Sequence, residues 1–248
     1  MKILLPPSET KRPGGDGGPL RPDALELPSL LTQRERVVDA LVLLASDPDE
    51  AQRVLKLSDR QRGEIANNAS LRTGATMPAV DRYTGVLFDA LDAQSLDPSG
   101  REWLGRHVWI HSAPFGPVSA LDPIPAYRLA AGTSLPGIGG LKRFWAASPS
   151  QAIAECEPGV VLDLRSEAYV ALGPVPETVA GAYVRVVTEA GRALNHFNKR
   201  SKGLLVREMA RQLIVAETVG ELRTRCEQIG FSLRETPDAR VLELVIAD

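Results

Sequence analysis

The chain contains 248 residues, of which 44% are apolar and 24% charged, and its formal net charge is −2. This composition supports a folded protein with a large core, and the length lies at the upper end of what one domain holds. The near-neutral charge excludes a histone-type protein, so any surface for nucleic acid would have to be a local basic patch. Two cysteines are too few for a disulfide framework or a zinc site, and no apolar run reaches membrane-spanning length. We therefore expect a cytoplasmic protein with no membrane partner.

The first half of the chain predicts one buried strand followed mainly by helices. The strand covers Lys2–Leu5, and a loop rich in glycine and proline follows it at 11–22. Residues 32–45 have helical periodicity, and Thr32 and Glu35 have the spacing of a capping box. Further helices are predicted at 49–57, 58–69 and 84–91.

The second half of the chain alternates between strands and helices. Residues 112–127 contain too many prolines and glycines for any regular element. The alternation predicts an α/β fold, in which a mixed sheet is flanked by helices in a compact single domain covering 1–248. The predicted strands are 107–111, 159–164, 182–188 and a terminal hairpin at 231–247, and the predicted helices are 141–156, interrupted near Pro149, 194–217 and 221–228.

The largest charge asymmetry lies at 191–207, where five cations occur without one acid. On a helix, Lys202 would fall inside the apolar arc, whereas Lys199, Arg200 and Arg207 would lie on the opposite side. Desolvating an unpaired ammonium is unfavourable, so Lys202 must reach solvent or point into an internal polar site. We take this stretch as the first candidate for anion binding, with an ordinary solvated helix face as the alternative.

A second candidate site directly follows the first strand. Ser8, Glu9 and Lys11 would present a hydroxyl, a carboxylate and an ammonium at the end of the sheet, where open α/β proteins usually bind their ligands. We treat these three residues, together with Lys202, as catalytic candidates; a cluster that only stabilises a turn is the alternative. The run lacks the glycine spacing of a phosphate-binding loop, so we do not predict a site for nucleoside triphosphates.

The third candidate site lies at the end of the predicted strand 159–164. Asp163 and Arg165 alternate along it and share one side, and Ser166 follows them. An aspartate at the end of a buried strand is a candidate general base, because burial and neighbouring charges can shift its pKa. A structural ion pair between Asp163 and Arg165 is the equally good alternative, and we include Arg165 and Ser166 among the candidates for binding an anion.

Other cations lie beside aromatic residues and are also candidates for binding an anionic ligand. They are Arg128 and Lys142, which precedes Phe144, and Tyr127, directly before Arg128, is a candidate with it. This pairing suits stacking against a base, and it suits a packed helix edge equally well. Three scattered histidines do not make a metal site, and no Gly-x-Ser-x-Gly motif occurs, so we predict neither a metal nor another cofactor.

Taken in order, these segments resemble the YaaA family of peroxide stress proteins. The Pro-Pro-Ser-Glu-Thr-Lys form of the first motif is similar to the actinobacterial branch of that family. The resemblance is carried by the run from Pro6 to Lys11, Tyr83-Thr84-Gly85, Tyr127-Arg128-Leu129, Lys142 with Phe144-Trp145, residues 161–169 and residues 199–207.

The resemblance implies a compact α/β fold with a positively charged cleft, in a cytoplasmic protein that binds DNA and limits oxidative damage, partly by lowering free iron. It also implies a DNA contact of the helix-hairpin-helix kind. Only 58–78 could provide one here, with Arg60, Arg62 and Arg72 as phosphate contacts.

The residues themselves leave a second function open, that of an enzyme acting on a small nucleotide, nucleobase or other anionic metabolite in the same cleft. An interaction protein without a ligand is a third possibility. For either ligand, we expect the turn at 8–11 and Lys202 to converge on one cleft, with Arg200 and Arg207 nearer its rim.

Overall fold

The computed structural model describes residues 1–192 and 197–246, in which seven strands form one mixed sheet. The order across the sheet is β6-β7-β5-β4-β1-β2-β3. The five inner strands are parallel, and β3 and β6 pair antiparallel at the two edges, which confirms the predicted α/β fold. The strands are β1 (Lys2–Leu5), β2 (Val108–Ser112), β3 (Gly116–Ser119), β4 (Val161–Asp163), β5 (Gly181–Thr188), β6 (Ser232–Glu235) and β7 (Val241–Ile246).

Strand β1 positions the rest of the sheet. Its residues Ile3, Leu4 and Leu5 are fully buried, as expected for a strand covered on both faces. Leu4 lies opposite Trp109 of β2 on one side and Asp163 of β4 on the other. The chain passes from β1 to β2 in one direction across the sheet and from β4 to β5 in the other. The carboxyl ends of β1 and β4 therefore border a topological switch point, where open α/β sheets bind ligands.

Helices surround the sheet, and the buried apolar side chains form one continuous cluster from Ile3 to Leu244. Short 3-10 turns occur at Pro22–Ala24, Pro28–Leu30, Asp59–Glu64 and Ala93–Ser95. In the described ranges the α-helices are α1 (Leu31–Ala45), α2 (Pro48–Leu55), α3 (Ile65–Ala69), α4 (Ala79–Arg82), α5 (Val86–Leu91), α6 (Pro98–His107), α7 (Leu141–Trp145), α8 (Ser148–Glu155), α9 (Glu167–Val170), α10 (Phe197–Arg211) and α11 (Val219–Gln228).

Proline bears on two of the predicted elements. The interruption predicted near Pro149 in the helix at 141–156 is confirmed: the segment forms the two helices α7 and α8, and Pro149 lies in the first turn of α8, a position that proline favours. The prediction that 112–127 holds no regular element is wrong, since β3 lies within it. Pro117 is tolerated there because β3 is an edge strand.

Other differences concern helix ends. The capping box predicted at Thr32 is wrong, because α1 begins at Leu31 and has no side-chain cap. The helix predicted at 58–69 is a 3-10 turn followed by the short α3. Helix α10 ends at Arg211 rather than 217, and the predicted start at 194 lies outside the described residues. Helix α6 was not predicted, although the Asp97 side chain caps it by accepting a hydrogen bond from Gly100 N at 2.7 Å.

A buried arginine of α1 holds the β2–β3 hairpin against the N-terminal segment. The Arg34 guanidinium donates to the carbonyl oxygens of Phe115 at 2.8 Å and Pro117 at 3.0 Å. It also donates to the backbone carbonyl oxygens of Leu25, Glu26 and Leu27. The acceptors lie in the 25–27 segment and in the β2–β3 hairpin, so one planar side chain satisfies backbone groups from two parts of the fold.

We predict that Arg34→Met destabilises the protein by at least about 3 kcal/mol, because several buried carbonyl oxygens lose their donor at once. Urea denaturation followed by circular dichroism measures the change. Arg36→Met is the matched control on the same helix: Arg36 is exposed and lies over the Phe144 ring, so its loss costs about 1 kcal/mol or less. Equal effects of the two substitutions would contradict this account.

Candidate functional site

A cavity of about 460 Å³ lies at the switch point between β1 and β4, and we call it the Lys202 cavity. Pro6, directly after β1, forms one part of its wall, and Leu164 and Ser166, directly after β4, form another. Helix α10 closes the cavity with Lys199 and Lys202. Two strand ends and one helix end thus build a pocket of the size that small ligands occupy.

Lys202 is almost completely buried on this wall, with 4% of its surface exposed. Its Nζ lies 5.6 Å from the centre of the Tyr183 ring, and it forms no hydrogen bond with the described part of the chain. Burial lowers the pKa of the ammonium to about 8, and the negative charge of Asp163 opposes this shift. The prediction from helical phase that Lys202 lies on the apolar side of its helix is confirmed, since Leu205 and Val206 of the same side are fully buried.

A glycine allows α10 to lie close enough to complete the cavity. A Cβ atom on Gly203 would lie 2.2 Å from the carbonyl oxygen of Leu87 on α5, which is far inside van der Waals contact. Leu87 itself lines the cavity beside Lys202. Any larger residue at 203 would therefore push α10 outward and open this wall.

The first turns of α10 concentrate positive charge beside the cavity. Lys199 and Arg200 are exposed and form no ion pair with residues 1–192 or 197–246, and the first turn contains no acid. Cations at the amino-terminal end of a helix oppose the helix dipole, which favours anions there. Together with Lys202, they place three cations at this end of the helix.

Asp163 and Arg165 form a buried ion pair rather than two separate cavity groups. The Asp163 carboxylate accepts from Arg165 Nε at 2.8 Å and from Nη2 at 2.6 Å. Arg165 is fully buried and its Nη1 also lies 2.7 Å from His111 Nδ1. Because arginine only donates, Nδ1 accepts and the proton lies on Nε2; burial and Arg165 keep the His111 pKa well below its usual value. The ion-pair alternative stated for Asp163 is the arrangement found, and the Asp163 charge also acts on Lys202, while its role as a general base stays a prediction.

The turn at 8–11 lies beside the carboxyl ends of β1 and β2. Lys11 Nζ donates to the carbonyl oxygens of Ser8 at 3.0 Å and Glu9 at 3.2 Å, and lies 4.0 Å above the Tyr127 ring. The Tyr127 hydroxyl is 2.8 Å from that of Tyr83. Loss of hydration, reinforced by the charge of Arg128, lowers the Lys11 pKa to about 7. The ammonium thus closes its own turn onto a buried aromatic pair.

A second cavity of about 650 Å³ lies beyond this turn, and we call it the Arg128 cavity. Glu9 and Arg128 line it, whereas Ser8 and Lys11 line neither of the two cavities. Arg128 Nη2 lies 3.3 Å from Glu9, and its Nη1 lies 3.5 Å from Glu64. Of the turn at 8–11, only Glu9 lines one of these two cavities, so the expectation that the turn and Lys202 meet in one cleft stays a prediction.

The remaining candidates lie away from both cavities. Arg207 pairs with Asp92 at 3.3 Å and donates to Ser95 at 3.1 Å, and Lys142 is an exposed residue of α7. Residues 58–78 do not form two helices joined by a hairpin. Arg62 pairs there with Asp49, and Arg72 pairs with Glu35 and Asp39.

Sequence reasoning did not single out Tyr183 or Asn198, both of which line the Lys202 cavity. Tyr183 lies on β5 opposite Asp163, so only strand pairing brings it to the site. Its one signal in the sequence is an amphipathic aromatic residue near the start of an apolar strand.

In the ranges described, no helix is long and apolar enough to span a bilayer.

Comparison with known proteins shows similarity along the whole chain. A sequence profile described as peroxide stress protein YaaA matches residues 1–236. A UPF0246 protein of Corynebacterium efficiens is 44% identical over 238 residues, 94% of this chain and 94% of that protein. A UPF0246 protein of Streptomyces coelicolor is 40% identical over 245 residues, 97% and 94% of the two chains. One from Limosilactobacillus fermentum is 30% identical over 245 residues, 92% and 95% of the two.

The buried ammonium yields a prediction about stability. Lys202→Met should raise the free energy of unfolding at pH 7 by up to about 3 kcal/mol, because the pKa falls from 10.5 in the unfolded chain to about 8 on folding. The unfolded state binds more protons between these values, so wild-type stability rises with pH from about 8 and the advantage of the variant disappears above about 10.5.

Urea denaturation across this pH range measures the difference. The exposed Lys199 provides the control, since Lys199→Met should change stability by less than about 0.5 kcal/mol. A Lys202→Met variant no more stable than wild type at pH 7 would mean that the ammonium is hydrated.

Proposed function

Because the chain belongs to the family of the peroxide stress protein YaaA, we propose that it acts in that stress response by binding a small anionic ligand of the nucleotide or nucleobase class in the Lys202 cavity. The observation that carries the proposal is the buried Lys202 ammonium, which has no hydrogen-bond partner among the described residues and lies at the switch point of the sheet. A desolvated charge of this kind destabilises the fold unless a ligand neutralises it.

The cavity is lined by two lysines and an aromatic ring as well as by the carboxylate of Glu167, and the lysines with the ring suit a phosphate or carboxylate joined to a flat ring. Lys199, Lys202 and the amino-terminal end of α10 provide positive charge for the acidic group. The Tyr183 ring offers an aromatic surface against which a base stacks. A volume of about 460 Å³ matches a small molecule, whereas a DNA duplex is far too wide to enter it.

If the bound ligand reacts, Lys202 is the residue to transfer a proton. A pKa of about 8 leaves part of the amine neutral near pH 7, so it can accept a proton and return it. Arg165 already binds the Asp163 carboxylate, so Asp163 would act on Lys202 through its negative charge. That charge would keep the Lys202 pKa from falling further. Ser166, which follows β4, and Asn198 of α10 also line the cavity and would position the ligand. Ser8, Glu9 and Lys11 have no part in this step.

The test is a thermal-shift and calorimetric screen of nucleoside monophosphates, free nucleobases and inorganic phosphate against the full chain. A ligand present at about 100 times its Kd should stabilise the protein by about 2.7 kcal/mol. We expect Lys202→Met to weaken binding at least about tenfold, as the removal of a charge-assisted hydrogen bond implies.

Lys142→Met is the matched control, because Lys142 is an exposed lysine outside the cavity and should bind like wild type. If none of the compounds stabilises the protein, or if both variants bind equally well, the proposal fails.

DNA is the second candidate ligand, and the exposed pair Lys199 and Arg200 favours it. Lys199 lines the Lys202 cavity and Arg200 follows it on α10, and neither has an ion pair in the described part of the chain, so phosphates of a strand can reach them. Bound DNA would be shielded from iron-dependent damage. In residues 1–192 and 197–246 no three His, Cys, Asp or Glu side chains group as metal ligands, so this proposal includes no iron site.

For DNA, we predict that Lys199→Ala with Arg200→Ala weakens duplex binding evenly across sequences. The slope of log K against log salt should become shallower by about 1.8, because each phosphate that is no longer neutralised accounts for about 0.9. Fluorescence anisotropy at several salt concentrations measures the slope. Lys142→Ala with Arg143→Ala removes two cations of α7 and should leave the slope unchanged. Absence of binding by wild type at low salt would exclude this second candidate.

A further inference from the structure

The Arg128 cavity shares no lining residue with the Lys202 cavity. Three cations line it, Arg53, Lys56 and Arg128, against two carboxylates. Arg53 is already bound to Glu50. Lys56 forms no ion pair with any residue that the structure describes. The cavity therefore contains positive charge that its own wall does not neutralise.

The Arg128 guanidinium contacts two carboxylates but forms a bidentate pair with neither. Its side chain is only 13% exposed, yet it contacts two different carboxylates end-on, Glu9 at 3.3 Å and Glu64 at 3.5 Å. A guanidinium binds one carboxylate or phosphate most strongly through two parallel hydrogen bonds shorter than about 3 Å. Arg165 makes such a bidentate contact with Asp163, at 2.8 and 2.6 Å. The two parallel N–H groups of Arg128 can therefore form stronger hydrogen bonds than those they form with Glu9 and Glu64.

Glu9 is the neighbour that an incoming anion can displace. Its side chain is 75% exposed and lines the cavity, whereas that of Glu64 is 37% exposed and lies outside the lining. An exposed ion pair of this length contributes little to stability, so the contacts of a bound anion can offset its loss. Thr133 and Ser134 also line the cavity, and a hydroxyl group can donate a hydrogen bond to an oxyanion.

We propose that the Arg128 cavity binds the carboxylate or phosphate group of a small ligand, and that the Glu9 carboxylate competes with this group for the Arg128 guanidinium. The ligand makes the bidentate contact that Glu9 and Glu64 do not make, and Lys56 adds a second cation. This site is independent of the function proposed above, because it shares no residue with the Lys202 cavity.

Isothermal titration of the full chain with inorganic phosphate and, separately, with succinate tests this proposal. The titrations use the Lys202→Met variant, in which binding in the Lys202 cavity is weakened, and a failure of the function proposed above leaves this test intact. Glu9→Gln should tighten binding of at least one of the two anions by about two- to fivefold, the range that breaking an exposed ion pair allows. Arg128→Gln should weaken the same binding at least about tenfold. The anion that responds identifies the acidic group as phosphate or carboxylate.

Glu102→Gln is the matched control for net charge, because Glu102 is 67% exposed and pairs with Arg106 away from the cavity. It should leave the Kd unchanged. The Glu9 substitution needs no new packing, so its result holds even if the Arg128 variant folds poorly. Equal effects of Glu9→Gln and Glu102→Gln, absence of binding by either anion, or unchanged binding by a folded Arg128→Gln variant would overturn the proposal.

Discussion

The burial of β1 between two parallel neighbours is the constraint on which the rest of this protein depends. Its three apolar side chains are fully enclosed, with β4 on one side and β2 on the other. Since the chain leaves β1 and β4 in opposite directions across the sheet, no crossing connection covers the gap between their carboxyl ends. The Lys202 cavity occupies this gap, and the turn at 8–11 lies beside it because it continues directly from β1.

Two desolvated lysines flank this edge, and their surroundings give them different roles. The Lys11 ammonium is bound by two carbonyl oxygens of its own turn and by the face of Tyr127. Its hydrogen-bonding capacity is used within the protein, and it stabilises the turn. The Lys202 ammonium has the Tyr183 ring at a longer distance and the charge of Asp163, but no hydrogen bond with the described residues. A ligand can therefore supply what Lys202 lacks, and it cannot do the same for Lys11.

The elements that could be predicted from the sequence are those with strong local signals. Strands β1 and β4 are short apolar runs bounded by proline or polar residues, and the helical phase of α10 places Lys202 on the apolar side. Strand β3 escaped prediction because its Gly and Pro residues are breakers everywhere except at a sheet edge. The family resemblance was also accessible from sequence, and the profile match over 1–236 agrees with it.

The sequence by itself determined the α/β class, the family, and the position of Lys202 on the apolar side of its helix, because these follow from periodicity and from the order of motifs along the chain. Only the tertiary structure decided which cations are available. Arg165 pairs with a carboxylate two residues away, and Arg72 and Arg207 pair with carboxylates distant in sequence. Lys199 and Arg200 have no such partner among the described residues. The availability of a charge depends on what lies within a few ångströms of it, and the sheet order and helix packing set those distances.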